Sequence, residues 1–328
     1  MTSALPFDDF RNLLASLPAG DDAAGERVRS QFARADKPKG SLGRLEELAA
    51  WLATWSGRPP AVNRPLLVIF AGNHGVVGQG ISPRPMEATA RAVELSAAGG
   101  SAINQICLAY DLGLKVFDLA LHLPTADITQ DAALDERGCA ATMAFGMEAI
   151  SGTDLLCIGD LGVGNSTVAA AILTALFGGA GADWVGPGSG ADVAMIARKA
   201  EAVDAALTLH ASHLKDPLEV LRRVGGRETA AIAGAIIAAR MEKIPVILDG
   251  FAAIAAACAL HAVNPHALDH CLVAQFSTEP GQRKAVEKLG MRPLLDLDLS
   301  HGEGVGAGLA AGLVKAAALC STGMAAAL

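Results

Sequence analysis

The run RPLLVIFAGNHGV, residues 64–76, limits the fold more than any other stretch. Its unbroken apolar span from Pro65 to Ala71 suits a strand buried on both faces, and such strands belong to parallel sheets covered by helices. The same pattern recurs along the chain. GLKVFDLAL (113–121) is a second run of this kind, and TDLLCIGDLGVGNSTVAAAILTALFGG (153–179) carries a third into a helix through a glycine-rich turn. IPVILDGFAAIAAACALHAV (244–263), HCLVAQFSTEPG (270–281) and PLLDLDLSHGEGVGAGLAAGLVKAA (293–317) repeat it. Helical patterns fill the gaps, among them SAINQICLAYDL, AMIARKAEAVDAALTLHASHL and RETAAIAGAIIAARMEK. Alternating strands and helices predict an α/β fold with a mostly parallel sheet flanked by helices.

The first sixty residues follow another rule. FDDFRNLLASL, AGERVRSQFARAD and SLGRLEELAAWLATWSG are helical with no strand between them, and Gly57 with Pro59-Pro60 ends the series. We expect a small helical domain from residues 1–60 plus the C-terminal helix, about 306–328, beside a large α/β catalytic domain spanning 61–305. A chain of 328 residues is long enough for both.

Composition narrows the function. A formal charge of -8 is wrong for a phosphate backbone, and the cluster Arg222, Arg223, Arg227 is short, so no nucleic-acid partner is expected. No window reaches the roughly 18 uninterrupted apolar residues of a membrane span. MTSALPFDDFRNLL has early acids and no signal pattern, so a cytoplasmic protein with no membrane partner is expected. The 6 cysteines (107, 139, 157, 258, 271 and 320) have no CxxC spacing and lie mostly in apolar segments, as buried free thiols do. The 8 histidines form no HxxxH or HExxH pair, and His210 with His213 lacks an acidic or cysteine partner, so neither metal nor cofactor is implied.

In a parallel sheet, ligands bind beyond the carboxyl ends of the strands, where helix N-termini present free amides. The residues just after each run are therefore the candidates: Gly72 to Gly75, Gly159 to Thr167, Asp249-Gly250, Ser277 to Gly281, and Ser300 to Gly306. GDLGVGNST suits a phosphate, and equally a plain helix cap; it is no P-loop, and Thr167 stands where a dinucleotide fingerprint has its third glycine. WVGPGSGAD precedes a helix carrying Arg198 and Lys199, either a cation source or a solvated face. SHGEGVG places Glu303 among Gly302, Gly304 and Gly306, as if the glycines gave a substrate clearance; a turn residue near a helix start is the alternative. His74 reads as a strand-end residue and Asp249 as part of a turn lining the cleft.

Taken in order, KPKGSLGRLEELA, GNHGVVGQGIS, AAGGSAINQIC, KVFDLAL, GDLGVGNST, VILDGFAAIAAA and LDLSHGEGVGAGLAAGLVKAA resemble the nicotinate-nucleotide:dimethylbenzimidazole phosphoribosyltransferases over nearly the whole chain. The resemblance implies a Rossmann-like large domain, a small helical domain from both chain ends, and a homodimer. It implies transfer of phosphoribose from nicotinate mononucleotide to a benzimidazole-type base, with α-ribazole 5'-phosphate and nicotinate as products, in cobalamin nucleotide assembly. The family's general base falls on Glu303 of Gly-Glu-Gly-x-Gly. Asp160 stands where relatives carry a glutamate, and Ser166 where they carry threonine. Gly162, Gly164, Asn165 and Ser166, with Lys199, Ser277 and Gly302 as weaker additions, are the implied phosphate and ribose contacts; Ser82, Arg84, Met86 and Leu161 are the implied base contacts. Arg84 and Met86 replace the family's tyrosine and glutamine, Pro187 and Ser189 alter a second loop, and Ser300-His301 sets an imidazole beside the base. These departures keep two other readings in view: a divergent paralogue with another base, and a non-catalytic nucleotide-binding protein. A dinucleotide oxidoreductase is more remote.

Overall fold

The computed structural model describes residues 5–326. At its centre lies a parallel sheet of β1 (Pro65–Ala71), β2 (Gly113–Asp118), β3 (Leu155–Leu161), β4 (Val246–Leu248) and β5 (Cys271–Val273). The strand order is β2-β1-β3-β4-β5. Leu67 stands opposite Cys157, Cys157 opposite Ile247, and Ile247 opposite Leu272, so one row of apolar side chains crosses four strands. The α/β class is as the sequence indicates. Two runs depart from it. β2 is an edge strand whose residues are exposed or half-buried, because only β1 pairs with it. The run at 293–299 forms no strand of its own but lies beside 273–278, with a bridge from Leu295 to Gln275 and the Leu295 N–H donating to Ala274 O at 2.9 Å; Asp298 adopts φ 53°, which ends extended backbone.

Three helices precede the sheet: α1 (Asp8–Ala15), α2 (Asp22–Arg34) and α3 (Arg44–Ser56). Those between the strands are α4 (Glu87–Ala97), α5 (Ala102–Tyr110), α6 (Glu136–Ala149), α7 (Asn165–Phe177), α8 (Val193–His210), α9 (Pro217–Val224), α10 (Arg227–Met241) and α11 (Phe251–Val263). The chain ends with α12 (Pro280–Lys288) and α13 (Val305–Gly323). Several starts are set by an aspartate cap: Asp21, Asp135, Asp192 and Asp216 each accept a backbone N–H of the first turn.

The two sheet faces bury separate cores. Leu66, Val68, Phe70, Leu156, Ile158, Val246 and Leu248 pack with α6, α7, α9, α10 and α11, and Phe7, Phe10 and Leu14 of α1 join them. Leu67, Ile69, Leu155, Cys157 and Ile247 pack with α2, α3, α5 and α13. Alanine is dense in both, and close approach follows: Gly146 of α6 and Gly234 of α10 lie against the other helix's backbone, where a Cβ would collide. α13 is long and apolar enough to cross a membrane by length and composition, yet over half of it is buried, against the sheet, α3 and α5. All the cysteines are free, and all but Cys320 are buried.

Because β1 is flanked by β2 on one side and β3 on the other, the connections leave it in opposite directions. That makes the carboxyl ends of β1 and β3 a topological switch point, where such folds open a crevice. The Gly72 N–H donates to Leu161 O at 3.0 Å across it.

Candidate active site

Four buried carboxylates, Asp160, Glu303, Asp249 and Glu228, gather near this crevice. Asp160 ends β3 and is 6% exposed; its Oδ1 accepts from Asn165 Nδ2 at 2.8 Å and its Oδ2 from the Ala253 N–H at 3.2 Å. Burial pushes its carboxyl up to about 7, and the nearby charges of Glu228 and Asp249 push the same way, against the two hydrogen bonds. Gly250, at φ 104°, must be glycine here, since a Cβ would collide with Asp160 Oδ2.

Glu303 approaches from the other side, its N–H donating to Asp160 O at 3.3 Å. It is 7% exposed and takes φ 67°, a left-handed conformation that a non-glycine residue holds only when its surroundings impose it. Oε2 is buried without a hydrogen-bond donor; His301 Nε2 lies 3.5 Å away on an otherwise exposed ring. A carboxylate oxygen withdrawn from water and given no donor is ready to take a proton from a ligand.

The glycines around Glu303 serve a different purpose from the substrate clearance inferred from sequence. Gly304 fits against Gly159 of β3, where a Cβ on Gly159 would stand 2.5 Å from the Gly304 nitrogen. A Cβ on Gly306 would stand 2.7 Å from the Gln275 side chain. Packing therefore keeps Gly159 and Gly306 small, while Gly304 is favoured by its own φ of 73°. Only Gly302 retains room, with Asp160 O at 3.4 Å as its sole close neighbour. Asp249 also has a firmer role than lining the cleft. Buried to 2%, it accepts from the Gly306 and Ala307 N–H groups at 2.7 and 3.2 Å and from Gln275 Nε2 at 2.9 Å. It thus caps α13 from across the sheet and anchors the turn that presents Glu303.

On the far side of Asp160 is the N-terminus of α7. Gly164, at φ 90°, opens the helix without a side-chain cap, and the Val163 N–H donates to Thr89 Oγ1 at 3.1 Å. Lys199, 3% exposed on α8, brings Nζ to Ser166 Oγ at 3.1 Å and Gly186 O at 2.8 Å. Burial lowers its affinity for the proton and the charge of Glu279 raises it. Gly162, Gly164, Ser166 and Lys199 therefore meet at one helix end. Asn165 is beside them, but its side chain is committed to Asp160. Ser277 precedes α12, its Oγ accepting from the Glu279 N–H at 3.2 Å.

The residues expected from sequence on the base side lie next to this loop. The Thr89 contact holds the start of α4 against Val163, and Ser82, Arg84 and Met86 precede it; Ser82 Oγ accepts from the Arg84 N–H at 3.1 Å, Arg84 is exposed and Met86 is half-buried. Leu161 is half-buried at the end of β3.

Sequence reading passed over Glu228 and underrated His74. Both are wholly buried, with His74 Nε2 3.0 Å from Glu228 Oε1. The available signal was slight: a carboxylate opening α10, directly before a long alanine-rich run, is more than a solvated first turn.

The chain matches known proteins over nearly its whole length. A family model described as phosphoribosyltransferase covers residues 17–327. The chain is 63% identical over 324 residues to the nicotinate-nucleotide–dimethylbenzimidazole phosphoribosyltransferase of Rhizobium meliloti, covering 98% of this chain and 96% of that one. It belongs to that phosphoribosyltransferase family. A Brucella melitensis protein of the same name is 64% identical over 325 residues, with coverage of 98% and 96%. The crystal structure of the phosphoribosyltransferase from Thermus thermophilus superposes with a TM-score of 0.85 at 37% identity, over 93% of this chain and 97% of that one. The family's fold, a parallel sheet with helices on both faces, is the fold described above.

Proposed function

We propose that this phosphoribosyltransferase moves the 5'-phosphoribosyl group from nicotinate mononucleotide to 5,6-dimethylbenzimidazole or a related base, releasing nicotinate and α-ribazole 5'-phosphate for cobalamin nucleotide assembly. The observation that carries the reading is Glu303 Oε2, buried and without a donor beside the buried Asp160. In the reaction one base nitrogen attacks C1' of the ribose from the face opposite nicotinate, which inverts the anomeric carbon. The C1'–N bond to nicotinate breaks with its electron pair, so the pyridinium nitrogen leaves neutral and needs no acid. The other base nitrogen loses its N–H proton to Glu303, a contribution of about a hundredfold to ten-thousandfold. Asp160, when ionised, faces the positive charge that builds on the ribose.

The 5'-phosphate is assigned to the end of α7, with the amides around Gly162 and Gly164, the Ser166 hydroxyl and the Lys199 ammonium as donors and Asn165 orienting Asp160. Gly302 and Ser277 border the ribose side. Ser82, Arg84, Met86 and Leu161 border the base. Met86 offers only a weak thioether acceptor, which favours a second reading in which the accepted base differs from dimethylbenzimidazole. The proposal includes the small helical domain of 1–60 with about 306–328 beside a large domain of 61–305; the contacts of α13 with α2 and α3 support it, while α1 packs on the other face. A homodimer is proposed on the exposed Leu108 and Leu319 of the neighbouring helices α5 and α13. A cytoplasmic location fits the free thiols.

The test is a panel of bases incubated with nicotinate mononucleotide, with the ribotide detected by mass. Nicotinate release that depends on a benzimidazole-type base, lost in Glu303→Gln, is the expected result. Tight donor binding with no turnover on benzimidazoles, purines or phenols would instead make the protein a nucleotide binder.

A further inference from the structure

Two turns singled out by their sequence, WVGPGSGAD (184–192) and STEPG (277–281), meet beside the start of α7, and the chemistry just described draws on Ser277 alone among their residues. They are fitted closely. A Cβ on Gly281 would collide with Trp184 O, and one on Gly186 would stand 2.6 Å from Glu279 Oε2 and 2.9 Å from Pro280 Cδ. Beyond that contact the first turn runs outward through Pro187, Ser189 and Gly190, all exposed, and closes on itself as the Ala191 N–H donates to Pro187 O at 2.7 Å. Two buried side chains grip it from beneath. Lys199 Nζ donates to Gly186 O at 2.8 Å and to Ser166 Oγ at 3.1 Å, and Glu279 Oε1 accepts from the Gly188 N–H at 2.5 Å. Gly188, at φ 51°, comes down on the Lys199–Ser166 contact: a Cβ there would stand 2.9 Å from Ser166 Oγ and 3.0 Å from Lys199 Nζ. A chain of contacts therefore runs from Glu279 through Gly188 to the two side chains assigned to the phosphate.

Glu279 gives up a helix cap to make its contact. It occupies the N-cap position of α12, where a carboxyl side chain ordinarily accepts from the first amides of its own helix, yet it makes no such bond. It is 9% exposed, and Oε2 is buried without a hydrogen-bond partner. Burying a carboxyl group for a single hydrogen bond is unfavourable unless that bond is needed. The turn it holds has that need. With Gly186, Gly188 and Gly190 in five residues, the segment 186–190 loses much conformational freedom when it is ordered and moves when it is released.

We propose that Glu279 is a positioning residue: through its bond to the Gly188 N–H it holds the 186–190 turn against Ser166 and Lys199, and so keeps the start of α7 preorganised for the phosphate of the donor. The inference rests on the phosphoribosyl-transfer reading for the identity of that donor. Glu279 acts through the turn and not on the reacting atoms, so its loss weakens donor binding and spares the chemical step.

The test compares Glu279→Ala, Glu279→Asp and Glu279→Gln in the full chain. Glutamine keeps an acceptor of the same reach. Aspartate keeps the acid but is one methylene shorter than the contact with Gly188 requires, and as a good N-cap residue it secures folding should the alanine variant fail. In Glu279→Ala and Glu279→Asp, KM for nicotinate mononucleotide should rise about tenfold, as for the loss of one hydrogen bond, while kcat and KM for the base change less than about twofold. Glu279→Gln should stay within about threefold of wild type. Hydrogen exchange of the 186–190 segment in the ligand-free protein should quicken in the first two variants and not in the third. An unchanged donor KM, an equal rise in both KM values, a glutamine variant as impaired as alanine, or exchange that stays at the wild-type rate each overturns the proposal. Exchange and calorimetric titration with nicotinate mononucleotide need no turnover. A wild-type protein that binds the donor and never transfers it, with these effects intact, sinks the transferase reading and leaves the role of Glu279 standing.

Discussion

Helices α7 and α13 begin alike and end up differently. Each follows a strand end or its loop, each opens on a left-handed glycine, Gly164 at φ 90° and Gly304 at φ 73°, and neither has a cap from its own N-cap side chain. At α13 the protein supplies the anion: Asp249 reaches across from β4 and accepts from the Gly306 and Ala307 amides. Among the described residues no carboxylate accepts from the amides that open α7; a buried ammonium, Lys199, and the Ser166 hydroxyl stand there instead. A helix N-terminus attracts negative charge in either case. The filled end is therefore structural, holding the Glu303 turn in place, and the open end is the one proposed for a ligand's phosphate.

The comparison breaks most visibly if Asp249 is removed. Asp249→Ala strands two helix amides and the Gln275 side chain, and should cost about 3 kcal/mol in chemical denaturation. An unchanged midpoint would mean that α13 does not depend on its borrowed cap. Lys199→Met empties the cation from the other end. Steady-state kinetics should then show KM for the nucleotide donor rising about tenfold or more, with a smaller change in kcat.

Between the two helices, Asp160 gives a pH signature. Its carboxyl lies near 7 in the folded protein against 3.8 ordinarily, so the folded state holds more protons between those values. The stability this brings is complete at about pH 4 and lost as pH rises through 7. Asp160→Asn does not titrate, so its Tm relative to wild type should climb by several degrees from pH 5 to pH 8. A constant difference would place the Asp160 pKa elsewhere. The smallest effects belong to the two glycines. Gly304→Ala should cost about 1 kcal/mol from its left-handed backbone, and Gly164→Ala somewhat more, since its Cβ would also stand 2.9 Å from Val77.

Much of this was readable in the chain. The runs at β1, β3 and β4 are buried on both faces, so their apolar character is continuous and their ends are marked by polar glycine turns. Asp160 and Ser166 could be singled out as candidates because they lie at and just after the end of β3, whereas Lys199 reaches the same helix end from within α8. What escaped depends on contacts distant in sequence. His74 and Glu228 meet across more than 150 positions, and nothing local marks either as buried. Gly304 and Gly306 look like ligand clearance until Gly159 and Gln275 are seen to fill the space. The run at 293–299 has a strand's alternation but meets 273–278 through scattered backbone hydrogen bonds and one bridge, and edge pairing cannot be read from one segment.

The distinction between the filled and the open helix end is tested most directly by giving α7 an anion of its own. Ser166→Asp places a carboxylate at the second residue of the helix, next to Lys199, and leaves the buried core untouched. Calorimetric titration with nicotinate mononucleotide should show binding weakened by tenfold or more while Tm stays at or slightly above wild type. Wild-type affinity in that variant would contradict the account, because the phosphate would then have to bind somewhere other than the start of α7.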